Sequence, residues 1–289
     1  MKPQMLSGLH VLMSWRRRLR WSGWLSLCVL AFWLLCAVAA PLVAPYNPLK
    51  SFSPLLLPLQ FDPWGLHVLG TDMIGRDILS RLIWGAQPVI LWSSLATFCA
   101  YVIGITCGLG AGYLRGQADR LLSFIANMML SFPILVLYLL VVVRLGPSGA
   151  NIVLAVIFAT SPSVFRVVRA LVMKESRKDY VLISQTQGES LFRILGAELL
   201  PNVMGPIVVD GCLRLGYTAI MIGLLGFLGL GLPPPAPDWG GMINDGRAMA
   251  IAFPHLIIFP CLAISSLMLS LSVLIDNLNG DGALAEMPS

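Results

Sequence analysis

Charge is the scarcest property of this sequence. Asp, Glu, Lys and Arg make up 11% of its 289 residues, while 57% are hydrophobic. A soluble domain carries roughly 25% charged residues, so a fold surrounded by water is excluded and the surrounding solvent is lipid. Histidine is nearly missing: His10, His67 and His255 are too scattered to suggest a metal site. The six cysteines (Cys28, Cys36, Cys99, Cys107, Cys212 and Cys261) all fall in apolar runs, without C-x-x-C spacing. They read as small packing residues rather than disulfides or ligands. No G-x-x-x-x-G-K-[ST] stretch occurs, which excludes ATP binding by that route. A basic face for nucleic acid is also missing, and the net charge of +5 has another explanation below.

What the chain does have is long apolar runs. A span needs roughly 20 mostly apolar residues to cross about 30 Å of hydrocarbon. Trp24–Val43, Val89–Tyr113, Leu121–Val143, Ile152–Val172, Val203–Leu232 and Phe253–Ile275 all meet that length. The expectation is an all-α membrane protein of six transmembrane helices, because a helix satisfies its own backbone in lipid. The basic N-terminus followed by an apolar run also resembles a signal peptide. The run exceeds the usual apolar core of such peptides, and a retained first span is expected.

Lys and Arg set the orientation. If the N-terminal Lys2, Arg16, Arg17, Arg18 and Arg20 are cytoplasmic, so are Arg115, Arg120, Lys174, Arg177, Lys178 and Arg193. The other side receives Lys50, Arg76, Arg81, Arg144 and Arg247. Eleven cations against five place both termini in the cytoplasm. Topology therefore accounts for the positive charge.

Three local features stand out. The segment after span one is rich in proline and leucine, and ends in a helical pattern through Ile74, Ile78 and Leu82 that Thr71 or Asp72 is placed to cap. It reads equally as a helix on the membrane surface and as a connection feeding span two. Span two carries Gly104, Gly108 and Gly112, a G-x-x-x-G spacing that lets helices approach closely in lipid. Span five carries Asp210 and Arg214, four residues apart and so on one helical face. Intramembrane charges usually face the bundle or a water-filled path. This pair reads either as lining a translocation path or as fixing helix register. Arg166 and Arg169, near the inner end of span four, read as snorkelling cations.

The fourth feature is "DYVLISQTQGESLFRILGAELLPN", Asp179–Asn202, between spans four and five. It is too polar to cross a bilayer. Span four is expected to run into it as one continuous helix. Gly188 divides it, Pro201 is expected to stop its second piece, and Tyr180, Val181, Ile183, Leu191, Ile194 and Leu195 form an apolar stripe. A bent amphipathic pair of this kind lies on lipid or fits a partner's groove. With only Arg193 after Lys178 on the polar side, the partner is favoured.

This segment resembles the cytoplasmic coupling loop of ABC-importer permeases, written E-A-A-x-x-x-G with a later L-P-N. Gly188 matches its glycine and Leu200-Pro201-Asn202 its end; Leu182-Ile183-Ser184 replaces E-A-A, and Glu198 stands where a histidine is common. "LGTDMIGRDILSRLIWG" (Leu69–Gly85), "GFLGLGLPPPAPDWGGMINDGR" (Gly226–Arg247) and "NLNGDGALAE" (Asn277–Glu286) resemble stretches of one permease subunit of the dipeptide, oligopeptide and nickel importer family.

The resemblance implies an N-terminal span and extracytoplasmic segment over 1–86, a permease domain over 87–279 and a cytoplasmic tail over 280–289. It implies a second permease subunit, cytoplasmic ATPases that bind ATP and magnesium, and an extracytoplasmic solute-binding protein, all at the bacterial inner membrane. No cofactor is expected in this chain. ATPase docking falls to Asp179, Tyr180, Ile183, Ser184, Gly188, Leu191, Glu198, Pro201 and Asn202. Asp210 and Arg214 fall to the translocation path. Peptides are the expected cargo, with nickel or a metal chelate as the alternative. Two rivals lie outside this class. Ser148 in "GPSGA" with His255 suggests a rhomboid-like protease, although Ser148 or Asn151 equally suits a helix cap. A secondary transporter would show internal repeats and a midplane ion site, and no convincing repeat is visible.

Overall fold

The computed structural model describes residues 21–283. The basic residues Lys2, Arg16, Arg17, Arg18 and Arg20, together with His10 and the last six residues of the tail, lie outside the described residues. Among the described residues the only strands form one small hairpin, and the rest is helices and the loops that join them. In order it runs α1 (Trp21–Val43), β1 (Gln60–Asp62), β2 (Gly65–His67), α2 (Ile78–Leu114), α3 (Gly116–Leu130), α4 (Ile134–Leu145), α5 (Gly149–Glu175) and α6 (Asp179–Thr186). Then come α7 (Leu191–Arg193), a wide π turn (Ile194–Leu199), α8 (Leu200–Phe227), α9 (Trp239–Gly246), a 3-10 turn (Arg247–Met249) and α10 (His255–Ala283).

Five helical stretches are long and apolar enough to cross a membrane: Trp21–Val43, Ile78–Leu114, Gly149–Glu175, Leu191–Phe227 and His255–Asn277. The sixth expected span, Leu121–Val143, is not one straight helix. It is α3 and α4, bent by 86°. The break falls at Ser131, Phe132 and Pro133, where Pro133 has no N–H to continue α3 and pushes the residue before it out of the helical region. Hydropathy counts apolar residues and does not see this bend.

α2 and α5 form the spine. A Cβ at Gly104 would sit 2.6 Å from the Val164 side chain, and one at Gly108 2.7 Å from that of Val168. The glycine spacing is therefore used for close approach, which gains dispersion contacts where lipid supplies no hydrophobic drive. α1 packs across α2 and α10, with Trp33 donating from Nε1 to Ser266 Oγ at 2.9 Å. Val29, Leu30, Trp33, Cys36 and Ala40 join the core there.

Several local expectations are corrected. α2 does not start at Thr71 or Asp72, and it does not lie on a surface. Asp77 caps it, accepting from Ser80 N at 2.8 Å, and the helix continues unbroken into the span with Ile78 and Leu82 buried. α5 does not flow into α6: it ends at Glu175, and Lys178 is extended, which turns Val181 back onto the bundle. Pro201 does not stop a helix. It stands in the first turn of α8, where its missing N–H is tolerated. The π turn directly before it keeps the chain helical, and Asn202 Nδ2 donates to the Glu198 carbonyl at 2.6 Å. α8 ends at Phe227, short of Leu232, where Gly229 takes a left-handed conformation (φ +77°) and Leu230 N donates to the Leu225 carbonyl at 2.8 Å.

The end of the bundle opposite residues 179–202, the outer one in the expected orientation, is covered by the 44–77 segment and the α8–α10 connection. His67 is fully buried, with Nδ1 2.8 Å from Asp77 Oδ1 and its ring against both Tyr46 and Phe52, which also meet each other. Trp239 is 0% exposed, donates from Nε1 to the Leu82 carbonyl at 2.9 Å and meets Trp33 edge-on. Asp238 caps α9 through the amides of Gly240 and Gly241.

Candidate coupling surface and translocation path

The 179–202 segment is two short helices joined at Gly188. Gly188 has φ +73° with open space where a Cβ would stand, so the conformation, not crowding, selects glycine. Asp179 opens α6, where a carboxylate favours the helix dipole. The inward side is apolar: Val181, Ile194 and Leu199 are buried with Val168, Val172 and Val203. Of the expected stripe, Val181 and Ile194 point in, Tyr180, Leu191 and Leu195 are half-buried, and Ile183 points out.

Polar contacts fix the fold of the segment. Ser184 Oγ donates to Glu198 Oε1 at 2.7 Å, which bridges the two pieces. Tyr180 OH donates to Glu175 Oε1 at 2.9 Å, and burial followed by this bond pushes the phenol up to about 12. Gln185 Nε2 donates to Tyr113 OH at 3.0 Å, tying α6 to the inner end of α2. Asp179, Ile183, Gly188, Pro201 and Asn202 are exposed; Ser184 and Glu198 are partly buried by each other. The outward side carries Leu182 and Ile183 on α6 and Phe192 on α7, which is 86% exposed. Leu182 and Phe192 were not among the expected docking residues. Leu182 flanks Val181, which turns inward, and Phe192 lies two residues before the buried Ile194.

Asp210 and Arg214 are paired as the spacing requires, with Arg214 Nε donating to Asp210 Oδ2 at 2.7 Å. The pair is not isolated. Tyr101 OH donates to the same Asp210 oxygen at 2.5 Å, and Arg214 Nη2 donates to Ser163 Oγ at 3.0 Å. The cluster therefore joins α2, α5 and α8 within the membrane while both charged side chains keep partial exposure. Tyr101 and Ser163 lie far away in sequence, and no local pattern announces them.

Arg169 does not snorkel. It forms a two-pronged pair with Asp119 of α3, from Nε to Oδ1 and from Nη2 to Oδ2 at 2.7 Å. A fork of this kind is among the stronger ion-pair geometries. Ser148 caps α5, its Oγ accepting from Asn151 N at 3.2 Å. His255 packs against Gly70 at the start of α10. Each residue of the protease reading thus has its own structural setting. Among the described residues, no three His, Cys, Asp or Glu side chains are grouped to hold a metal ion, and all six cysteines are free.

Residues 100–280 match the family described as binding-protein-dependent transport system inner membrane component. The chain is 36% identical over 251 residues to the dipeptide transport system permease protein DppC of Haemophilus influenzae, covering 86% of this chain and 83% of that one. It is 38% identical over 250 residues to the di/tripeptide transport system permease protein DppC of Pseudomonas aeruginosa, covering 86% and 81%. The glutathione transport system permease protein GsiD of Pectobacterium atrosepticum is 36% identical over 258 residues, covering 89% and 81%.

Proposed function

Given that the chain belongs to the family of binding-protein-dependent transport system inner membrane components, we propose that it forms half of the translocation path of an ATP-driven peptide importer. As a family member it is a multi-pass membrane transport component. The peptide assignment is supported by the relatives, whose names specify dipeptides, di/tripeptides and glutathione. The nickel or metal-chelate alternative gains no support from them.

The observation that carries the mechanism is the uncovered apolar side of the 179–202 segment, with Leu182, Ile183 and Phe192 facing away from the bundle. An apolar side presented by a bent helix pair suits a groove in a partner protein. In this reading the partner is a cytoplasmic ATPase, which holds the ATP and magnesium that this chain does not bind. Asp179, Tyr180, Ile183, Ser184, Gly188, Leu191, Glu198, Pro201 and Asn202 shape the docking surface, and Leu182 and Phe192 enlarge it. A second permease subunit completes the path, an extracytoplasmic binding protein delivers cargo, and both termini are cytoplasmic. The permease domain is 87–279. Closure of the ATPases draws the docked segment inward. The Asp210–Arg214 cluster then lies on the path between the two halves, where its partly exposed charges meet passing peptide termini.

The test is to pull the chain out of its native membrane in mild detergent and identify what accompanies it by mass spectrometry. The expected result is a second six-span permease and one or two P-loop ATPases, with the ATPases lost on Gly188→Asp while insertion persists. Recovery of the chain alone, or full ATPase recovery and normal import with Gly188→Asp, overturns the coupling reading.

A further inference from the structure

The outer end contains a charged cluster that the transport reading above leaves without a role. The Leu69–Gly85 stretch and the α8–α10 connection meet at Asp72, Arg76, Arg81 and Asp245. Two cavities of about 260 and 150 Å³ share Arg76, Arg81 and Asp245 in their walls. Away from these charges the larger one is lined mainly by apolar side chains, among them Ile74, Met242 and Leu256.

The two carboxylates are held very unequally. Asp72 Oδ2 accepts from Arg76 Nε at 2.7 Å and from Arg81 Nη1 at 2.6 Å. Its other oxygen accepts from the amides of Ile74 and Arg76 at 3.0 and 2.8 Å. Asp245 Oδ2 is 3.2 Å from Arg76 Nη2 and 3.8 Å from Arg81 Nη1, and its side chain is 47% exposed. The Arg81 side chain is only 5% exposed, yet its Nε and Nη2 donate to no group among the described residues. Two guanidinium groups on one cavity wall, loosely held by a half-exposed carboxylate, suit an incoming carboxylate.

We propose that Asp245 is a displaceable stand-in, and that the cavity is a subsite for the carboxylate end of a small ligand bearing an apolar side chain. The incoming carboxylate takes the place of Asp245 on Arg76 and Arg81, and the apolar part enters between Ile74, Met242 and Leu256. One carboxylate replaces another, so the buried charge stays balanced and no uncompensated arginine is created. The exchange also releases the α9 end of a tie that joins it to the 69–81 stretch. The inference rests on the peptide-importer reading only for the source of the ligand, the C-terminal residue of a delivered peptide.

The experiment uses the full chain with the partners that accompany it, in lipid nanodiscs, titrated calorimetrically with N-acetyl-leucine and with N-acetyl-leucinamide. The acid is expected to bind and the amide to fail. Asp245→Asn removes the competing charge and tightens the acid roughly fivefold, the worth of an exposed ion pair. Ile74→Trp, which alters an exposed wall residue, abolishes binding. Equal binding of acid and amide, no binding of the acid, weaker binding with Asp245→Asn, or no effect of Ile74→Trp overturns the subsite. Loss of ATP-driven peptide uptake with acid binding intact counts against the importer reading alone. Intact uptake without acid binding counts against the subsite alone.

Discussion

At the outer end, His67, Asp77, Asp238 and Trp239 are each enclosed and each bonded to a partner within the chain. At the inner end, residues 179–202 rest on an apolar underside and leave Leu182, Ile183 and Phe192 uncovered. The same polypeptide thus holds one end of its bundle through enclosed polar and aromatic groups and the other mainly through apolar packing, although the outer cover also leaves Phe61, Trp64 and Ile251 exposed. Burying a polar group is tolerable when it is hydrogen-bonded; Asp77, Asp238 and Trp239 meet that rule, while His67 is bonded through Nδ1 alone and leaves a buried Nε2 without a partner. An apolar side chain in water has no such remedy except a partner surface.

Four substitutions test this contrast. Trp239→Ala removes a fully buried indole and should lower stability by about 3–5 kcal/mol, measured as thermal unfolding in detergent. A small shift would mean that the outer end is not the fixed one. Asp238→Asn comes next. Burial, only partly offset by the Gly241 and Gly240 amides, pushes the Asp238 carboxyl up to about 6. The folded state then holds a proton more tightly than the unfolded chain, whose carboxyl titrates near 3.8. Stability is fully present below about pH 4 and declines as pH rises through about 6, by roughly 3 kcal/mol in all. Asparagine, with one acceptor oxygen, can keep the shorter cap bond from Gly241 N and should flatten that slope in melts from pH 4 to 7; an unchanged slope would place its origin elsewhere.

The inner-end substitutions should be milder for the fold. Gly188→Ala adds a methyl where there is room, so only the left-handed backbone opposes it, at about 1–2 kcal/mol. Hydrogen exchange should increase in 179–199 and nowhere else; a global loss of protection would show that the bend matters to the whole bundle. Phe192→Ser is the smallest. Its effect on melting should stay within about 0.5 kcal/mol, yet ATPase recovery in the pull-down should fall. A destabilised chain with undiminished ATPase recovery would reverse the roles assigned to the two ends.

Features that depend on near neighbours were legible in the sequence. The long apolar runs, the Gly188 break, the Asp210–Arg214 pair and the Ser148 cap all lie within a few residues of the chemistry that causes them. Features that depend on distant chain were not. Asp72 and Asp77 both suit a helix cap, and only the burial of His67 against Asp77 and the pull of Arg76 and Arg81 on Asp72 separate them. Arg169 resembled a snorkelling cation because Asp119 is 50 residues away. Tyr101 and Ser163 join the Asp210–Arg214 pair from two other helices. Pro201 suggested a stop because the π turn before it leaves no mark in composition. The bend between α3 and α4 was readable, since Pro133 stands in mid-run, but an apolar count passes over it.

The close seam between α2 and α5 has a mechanical consequence. With valines seated against Gly104 and Gly108, neither helix can slide or swivel alone without a backbone collision. The two therefore behave as a single stiff strut, about 40 Å long over the 27 residues of α5. One end of that strut holds the outer cover through the Asp77–His67 contact, and the other holds α6 through Tyr113 and Glu175. A push that reaches this strut is therefore shared by both helices, and the prolines inside them, Pro88 in α2 and Pro162 in α5, are the places where it can bend.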